Sequence, residues 1–152
     1  MASYGTVTRS TLFTNLWNNI FKALEDNLTD PAGRTGVKWI WGAFPVKIIN
    51  SKDSYPFVVV EPISLSSSED YSFTKEVVTA TVSVSIFTVD PDQLDTLSDD
   101  VIDIIYDNAS TFGDYAMEVL DVVGTSYAHQ VKSKSFRVHA RTIRFSFKVA
   151  IS

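Results

Sequence analysis

Apolar residues near the start of the chain recur at spacings of three and four: Leu12, Phe13, Leu16, Trp17, Ile20, Phe21, Leu24 and Leu28. This spacing lays one apolar stripe along a helix over 11–28, about 27 Å long at 1.5 Å per residue. Ser10 stands where an N-cap belongs. Asp30-Pro31-Ala32-Gly33 ends the pattern, because proline lacks the N–H and restricts the residue before it. Residues 1–9 are polar and predict a loose, flexible N-terminus, and residues 31–43 read as a connector carrying Trp39 and Trp41.

The period then falls to two. Val46 to Ile49 predicts a short strand, and Phe57 to Glu61 a β-branched one entered through Tyr55-Pro56 and left at Pro62. Ser64-Leu65-Ser66-Ser67-Ser68-Glu69-Asp70 has no core-forming pattern and is expected to form part of a polar hairpin arm over 62–74. In the next segment Val78, Ala80, Val82, Val84 and Ile86 face one way, and Thr79, Thr81, Ser83 and Ser85 the other, as in a half-buried strand. Asp90-Pro91-Asp92-Gln93 is a helix start, with a capping Asp, proline at the first position and Gln three residues on. Leu94, Leu97, Val101, Ile104 and Ile105 mark its buried face, and Asn108 to Gly113 ends it.

Residues 115–127 predict a strand, although Met117 to Val123 would also suit a helix. The closing segment, 134–151, alternates but changes phase: Phe136, Val138 and Ala140 are even, whereas Ile143, Phe145, Phe147, Val149 and Ile151 are odd. Near Arg141–Thr142 this predicts either a β-bulge or a strand that switches its buried face. The order α-β-β-β-α-β-β predicts a single α+β domain, a mixed or antiparallel β-sheet packed with two main helices.

Composition narrows the function classes. With 45% hydrophobic and 20% charged residues the chain has the means to form a core, unlike a disordered segment. A net charge of −5 removes the basic footprint expected of a dedicated nucleic-acid binder. The absence of cysteine excludes disulfides and thiolate metal sites. Met1-Ala2-Ser3-Tyr4-Gly5 lacks the basic start and apolar stretch of a signal peptide, and no apolar run approaches the ~20 residues of a membrane helix. The expectation is a soluble chain made in a cytosol, with no membrane partner, so the glycosylation patterns at Asn27 and Asn108 are discounted.

No catalytic constellation can be named, and no cofactor is expected. The chain has no G-x-S-x-G turn, no phosphate-binding glycine loop and no dinucleotide fingerprint. His129 and His139 are ten residues apart, without the i, i+4 spacing of a helical metal pair, and Arg137 and Arg141 flank the second. Asp92, Asp95, Asp99, Asp100, Asp103 and Asp107 follow helical spacing, not the alternating acids and central glycine of a calcium loop, which suits a solvated face.

Charge is strongly segregated. From Asp90 to Asp121 there are ten acids and no Lys or Arg; after Asp121 come Lys132, Lys134, Arg137, Arg141, Arg144 and Lys148 and no acids. Two readings stand. The second helix and the last strand pair within one subunit, or Asp99, Asp100 and Asp103 of one subunit meet Arg137, Arg141 and Arg144 of the next in a head-to-tail contact. Ser66, Glu69 and Asp70 on the polar arm are further candidate contacts.

An N-terminal amphipathic helix, Tyr55-Pro56-Phe57-Val58-Val59-Val60 opening a strand, a polar arm, the strand over 76–88, Asp90-Pro91 leading into a helix with Leu94 and Leu97, and two closing strands follow in order. In this order, over nearly its whole length, the chain resembles the tail-terminator (tail-completion) proteins of long-tailed bacteriophages and related viruses. The connector over 31–43 is longer than that family leads one to expect. The resemblance implies a structural virion protein and not an enzyme. It implies a ring, usually a hexamer, on the head-proximal end of the tail tube, where it stops tube polymerisation. Its partners would be itself, the tail tube protein and a neck or head-completion protein, with DNA passing through the channel without specific binding. It would act at the tail–neck junction of the virion and pass through the host cytoplasm during assembly. An acidic balance suits a channel that should not grip phosphate. The alternatives are another neck or head-completion connector, a small enzyme or ligand-binding domain using Asp53, Glu61, His129 and His139, or a cytosolic adaptor that binds a host protein through the 64–74 arm.

Overall fold

A computed structural model of the chain describes residues 3–46, 51–70, 76–131 and 136–151; residues 66–70, 76 and 129–131 are described by their backbone alone. The first amphipathic stripe forms α1 (Leu12–Asn27), which buries Leu16, Ile20, Phe21, Ala23 and Leu24. Its N-cap is Thr11 and not Ser10, and the Thr11 side chain makes no helix cap. Instead Thr11 Oγ1 accepts the Thr8 N–H at 2.9 Å.

The N-terminal segment, expected to be loose, is docked. Asn19 is fully buried on α1 and holds Gly5 twice, accepting from its N–H and donating to its carbonyl at 2.9 Å each. The Val7 N–H reaches the Tyr115 carbonyl at 3.0 Å, and Tyr4 stacks on Tyr115. A buried amide side chain requires partners, and the incoming backbone supplies them.

Among the described residues six strands make one mixed sheet: β1 (Ile40–Trp41), β2 (Phe57–Val60), β3 (Ser64–Asp70), β4 (Glu76–Thr88), β5 (Met117–Val131) and β6 (Arg137–Ile151). The expected α+β class is therefore what the chain adopts, with α2 (Pro91–Asp107) and a short α3 (Ala109–Gly113) between β4 and β5. The sheet order is β1-β2-β4-β6-β5, with β3 paired to β4. Among the described residues only the β1–β2 pair is parallel, so the connector over 31–43 contributes a strand that its loop-like sequence did not announce. The strand expected at Val46 to Ile49 falls largely on residues 47–50, outside the described residues.

The polar stretch read as an arm is a strand. β3 pairs antiparallel with β4 from Ser64↔Thr81 to Asp70↔Glu76, with an irregularity between Leu65 and Ser67. β2 lies against the other half of β4, from Phe57↔Phe87 to Val60↔Val84. The Glu61 N–H still bonds the Ser83 carbonyl at 2.9 Å. Pro62 then interrupts the edge, since it has no N–H to donate. A strand can be polar where its backbone is satisfied by the ladder and one side faces water.

α1 and α2 both cover one face of the sheet. Leu16, Ile20, Leu24, Leu94, Leu97 and Val101 meet the even residues of β4 and the odd residues of β6 from Ile143 onward. At one end of the opposite face Tyr55, Phe57, Val59 and Val138 form a second, smaller core, backed by Trp41 and Phe87. The phase change in β6 is thus a switch of buried face. Its pairing with β4 is unbroken from Thr88↔His139 to Glu76↔Ile151, and the bulges fall in β5, at Leu120 and Val123.

Candidate functional site

α2 explains the acidic run. Asp90 caps it, its carboxylate accepting the Asp92 N–H at 2.9 Å, and Pro91 occupies the first turn. Leu94, Leu97, Ser98, Val101 and Ile105 turn inward, Ile102 and Ile104 pack half-buried against the same core, and Asp99, Asp100 and Asp103 are left exposed. Among the described residues no group of three or more His, Asp or Glu gathers as a metal site.

The three candidate arginines do not act together. Arg141 opposes Ile86 and so points to the helix side. There it donates to Asp95 Oδ1 at 2.8 Å and to Ser98 Oγ at 3.1 Å, joining the last strand to the second helix within one subunit. For Arg141 the internal reading of the charge split holds. Its partner is Asp95, which the sequence offered only as one acid among six.

Arg144 opposes Ser83 and Gly124 and lies on the open face, since side chains alternate along a strand. It makes no ion pair among the described residues. The guanidinium lies close over Gly124, where an added Cβ would stand 3.1 Å from Arg144 Nη2 and push it by a few tenths of an ångström. The same face holds a cleft of about 680 Å³ lined by Arg144, Glu61, Thr81, Ser83, Phe44 and Phe87, among others. Arg137 is exposed at the start of β6, while Lys132 and Lys134 lie outside the described residues.

The arm candidates are placed by backbone only. Ser66 lies at the irregularity in β3, and Glu69 and Asp70 oppose Val77 and Glu76. Asp53 sits in the Lys52–Ser54 turn and Glu61 at the exit of β2, on separate segments. The β5–β6 hairpin sets His129 opposite His139 in register, a closeness that their ten-residue separation hides. His139 Nδ1 is 2.6 Å from the Tyr127 hydroxyl.

A clamp missed by sequence reading joins the exit of α1 to β2. Arg34 binds Asp30 with Nε and Nη2 at 2.7 and 3.1 Å, and reaches the Ser54 and Pro56 carbonyls at 3.0 and 2.6 Å. Burial alone would raise the Asp30 pKa, but the Arg34 hydrogen bond, the Ala32 and Arg34 N–H groups and the guanidinium charge outweigh it, so the carboxyl sits below its ordinary value. The i, i+4 spacing of Asp30 and Arg34 was the available signal, and the proline between them obscured it.

No protein-family model and no curated protein matches the chain.

Proposed function

We propose that this protein is a structural virion subunit of the tail-terminator kind, forming a ring that caps the head-proximal end of the tail tube and joins it to the neck. The observation that carries the reading is the two-sidedness of the subunit. With Arg141 satisfied internally, Asp99, Asp100 and Asp103 are left on the helix side and Arg144 on the open side, where Glu61 shares its cleft. A twofold contact presents a patch to itself and would set like charge against like. Opposite charges on opposite sides instead suit head-to-tail neighbours, or a subunit held between two different partners. The order of elements that resembles the family supports the same reading.

The second reading, a small ligand-binding domain, is favoured by the open-face cleft alone. Native mass measurement of the purified chain, alone and with polymerised tail tubes, separates the two. A hexamer, or a monomer that closes into a ring on tube ends and halts their growth, is the expected result. A chain that stays monomeric with tubes present, and binds small anions in the cleft, would sink the proposal.

A further inference from the structure

The two histidines of the chain, ten residues apart in sequence, are brought together by the β5–β6 hairpin. Both bulges of β5 precede Gly124. From Thr125↔Ile143 to Val131↔Arg137 the ladder runs without a shift, so His129 stands directly opposite His139. Directly opposed residues of an antiparallel pair have Cβ atoms about 4.5–5.5 Å apart. Tyr127 and His129 are two apart on one strand, and His139 and Arg141 two apart on the other. All four positions therefore belong to the helix-side face, on which Arg141 meets Asp95.

Tyr127 supplies a second, independent observation. Its hydroxyl lies 2.6 Å from His139 Nδ1, and its ring meets the imidazole at 63° with centroids 6.1 Å apart. A metal-bound histidine almost always gives its other ring N–H to an oxygen acceptor, which sets the tautomer and aims the ring. With Nδ1–H donated to the Tyr127 oxygen, Nε2 is the ligand atom of His139. Tyr127 is 50% exposed and His139 half-buried, so an ion can reach this position from water.

We infer that the His129–His139 position is a site for one divalent first-row transition-metal ion, with one imidazole from each of two adjacent strands and water completing the shell. Metal–nitrogen bonds of about 2.0–2.1 Å suit two imidazoles that start from opposed positions. Imidazole selects zinc, nickel or copper, whereas magnesium and calcium require oxygen ligands. Arg137 and Arg141 flank His139 and oppose any cation. Arg141, however, is tied to Asp95 at 2.8 Å, and Arg137 is exposed to water, which screens it. A bound ion would pin β5 to β6 at the hairpin end. The inference goes beyond the ring reading and stands without it.

The test is electron paramagnetic resonance of the full chain titrated with Cu²⁺ alone at neutral pH. Because the chain has 2 histidines and no cysteine, a two-imidazole signature identifies the pair. The expected spectrum shows splitting from two imidazole nitrogens, saturates at one ion per chain and does not depend on protein concentration. Zn²⁺ should displace the copper, and Mg²⁺ at the same concentration should not. His129→Ala and His139→Ala should each abolish the two-nitrogen pattern and weaken binding by about tenfold or more, while Tyr127→Phe should keep the pattern and bind about tenfold more weakly. A parent spectrum with oxygen ligands only, or with a single imidazole, overturns the site. So does a two-nitrogen pattern that appears only at high protein concentration, since that joins histidines of two copies. Binding as tight in either histidine variant as in the parent overturns it as well, and unweakened binding in Tyr127→Phe removes the positioning role of the phenol. Circular dichroism accompanies each variant, and the parent spectrum decides the ligand set even where a variant fails to fold.

Discussion

Arg34 shows how much one side chain can organise. Its guanidinium spans the exit of α1 and the entry to β2, and the side chains of Arg34 and Asp30 are only 15% and 9% exposed. That shelter separates the pair from an ordinary surface ion pair, which contributes about 0–1 kcal/mol. Arg34→Ala should therefore cost about 2–3 kcal/mol at neutral pH, in the range for hydrogen bonds to charged groups. The pH dependence follows from the lowered pKa of Asp30. Its stabilisation is present above the unfolded carboxyl value of about 3.9 and is lost as pH falls through the lower folded value. Urea unfolding of parent and variant at pH 7 and pH 3 should show the gap between them narrowing in acid. A gap of the same size at both pH values would mean that the bonds to the Ser54 and Pro56 carbonyls, not the carboxylate, hold the clamp.

Among the elements, β3 departs most from its sequence. Seven residues with little apolar content form a ladder along half of β4, so their contribution lies in backbone pairing. Replacing 64–75 by a glycine linker of about eight residues, long enough to run the ~17 Å back along β4 to Glu76, should lower the melting temperature by several degrees, because the Glu76-to-Thr81 half of β4 loses a neighbour and Val77 and Val78 lose cover. An unchanged melting temperature would return this stretch to the status of a passive arm. β5 differs from β3 in that its identity was ambiguous, not hidden. The run from Met117 to Val123 suits either period, and pairing with β6 decides for the strand, at the expense of two bulges.

At the scale of the molecule, the two faces of β6 make Arg141 and Arg144 opposites in a single experiment. Arg141→Glu sets a second carboxylate against Asp95 and should destabilise the fold by about 1 kcal/mol while the proposed tube capping persists. Arg144→Glu should change stability by less than about 0.5 kcal/mol, as surface substitutions do, and should reduce capping. Raising the salt to 1 M, where the screening length is about 3 Å, should weaken capping by the parent in the same direction. Equal effects of the two substitutions on melting and on capping would remove the distinction between an internal and an external arginine.

The two main helices, the alternation in β4, the capped start of α2 and the phase change in β6 were legible in the sequence, because each depends on residues a few positions apart and on a period that one element imposes, whereas the short α3 falls where the sequence reads only a helix end. Legible too was the segregation of acids from bases along the chain. What only the tertiary structure decided concerns residues far apart in sequence. Asn19 holds Gly5, Ile40 pairs with Val58, a polar stretch joins a sheet, and Arg141 finds Asp95. Periodicity says that a side chain faces a core, but not which face of the sheet that core covers, and β6 has a core on each side. For the same reason the sequence marked Phe13 for burial, and only the packing of α1 against a broken sheet edge left it exposed.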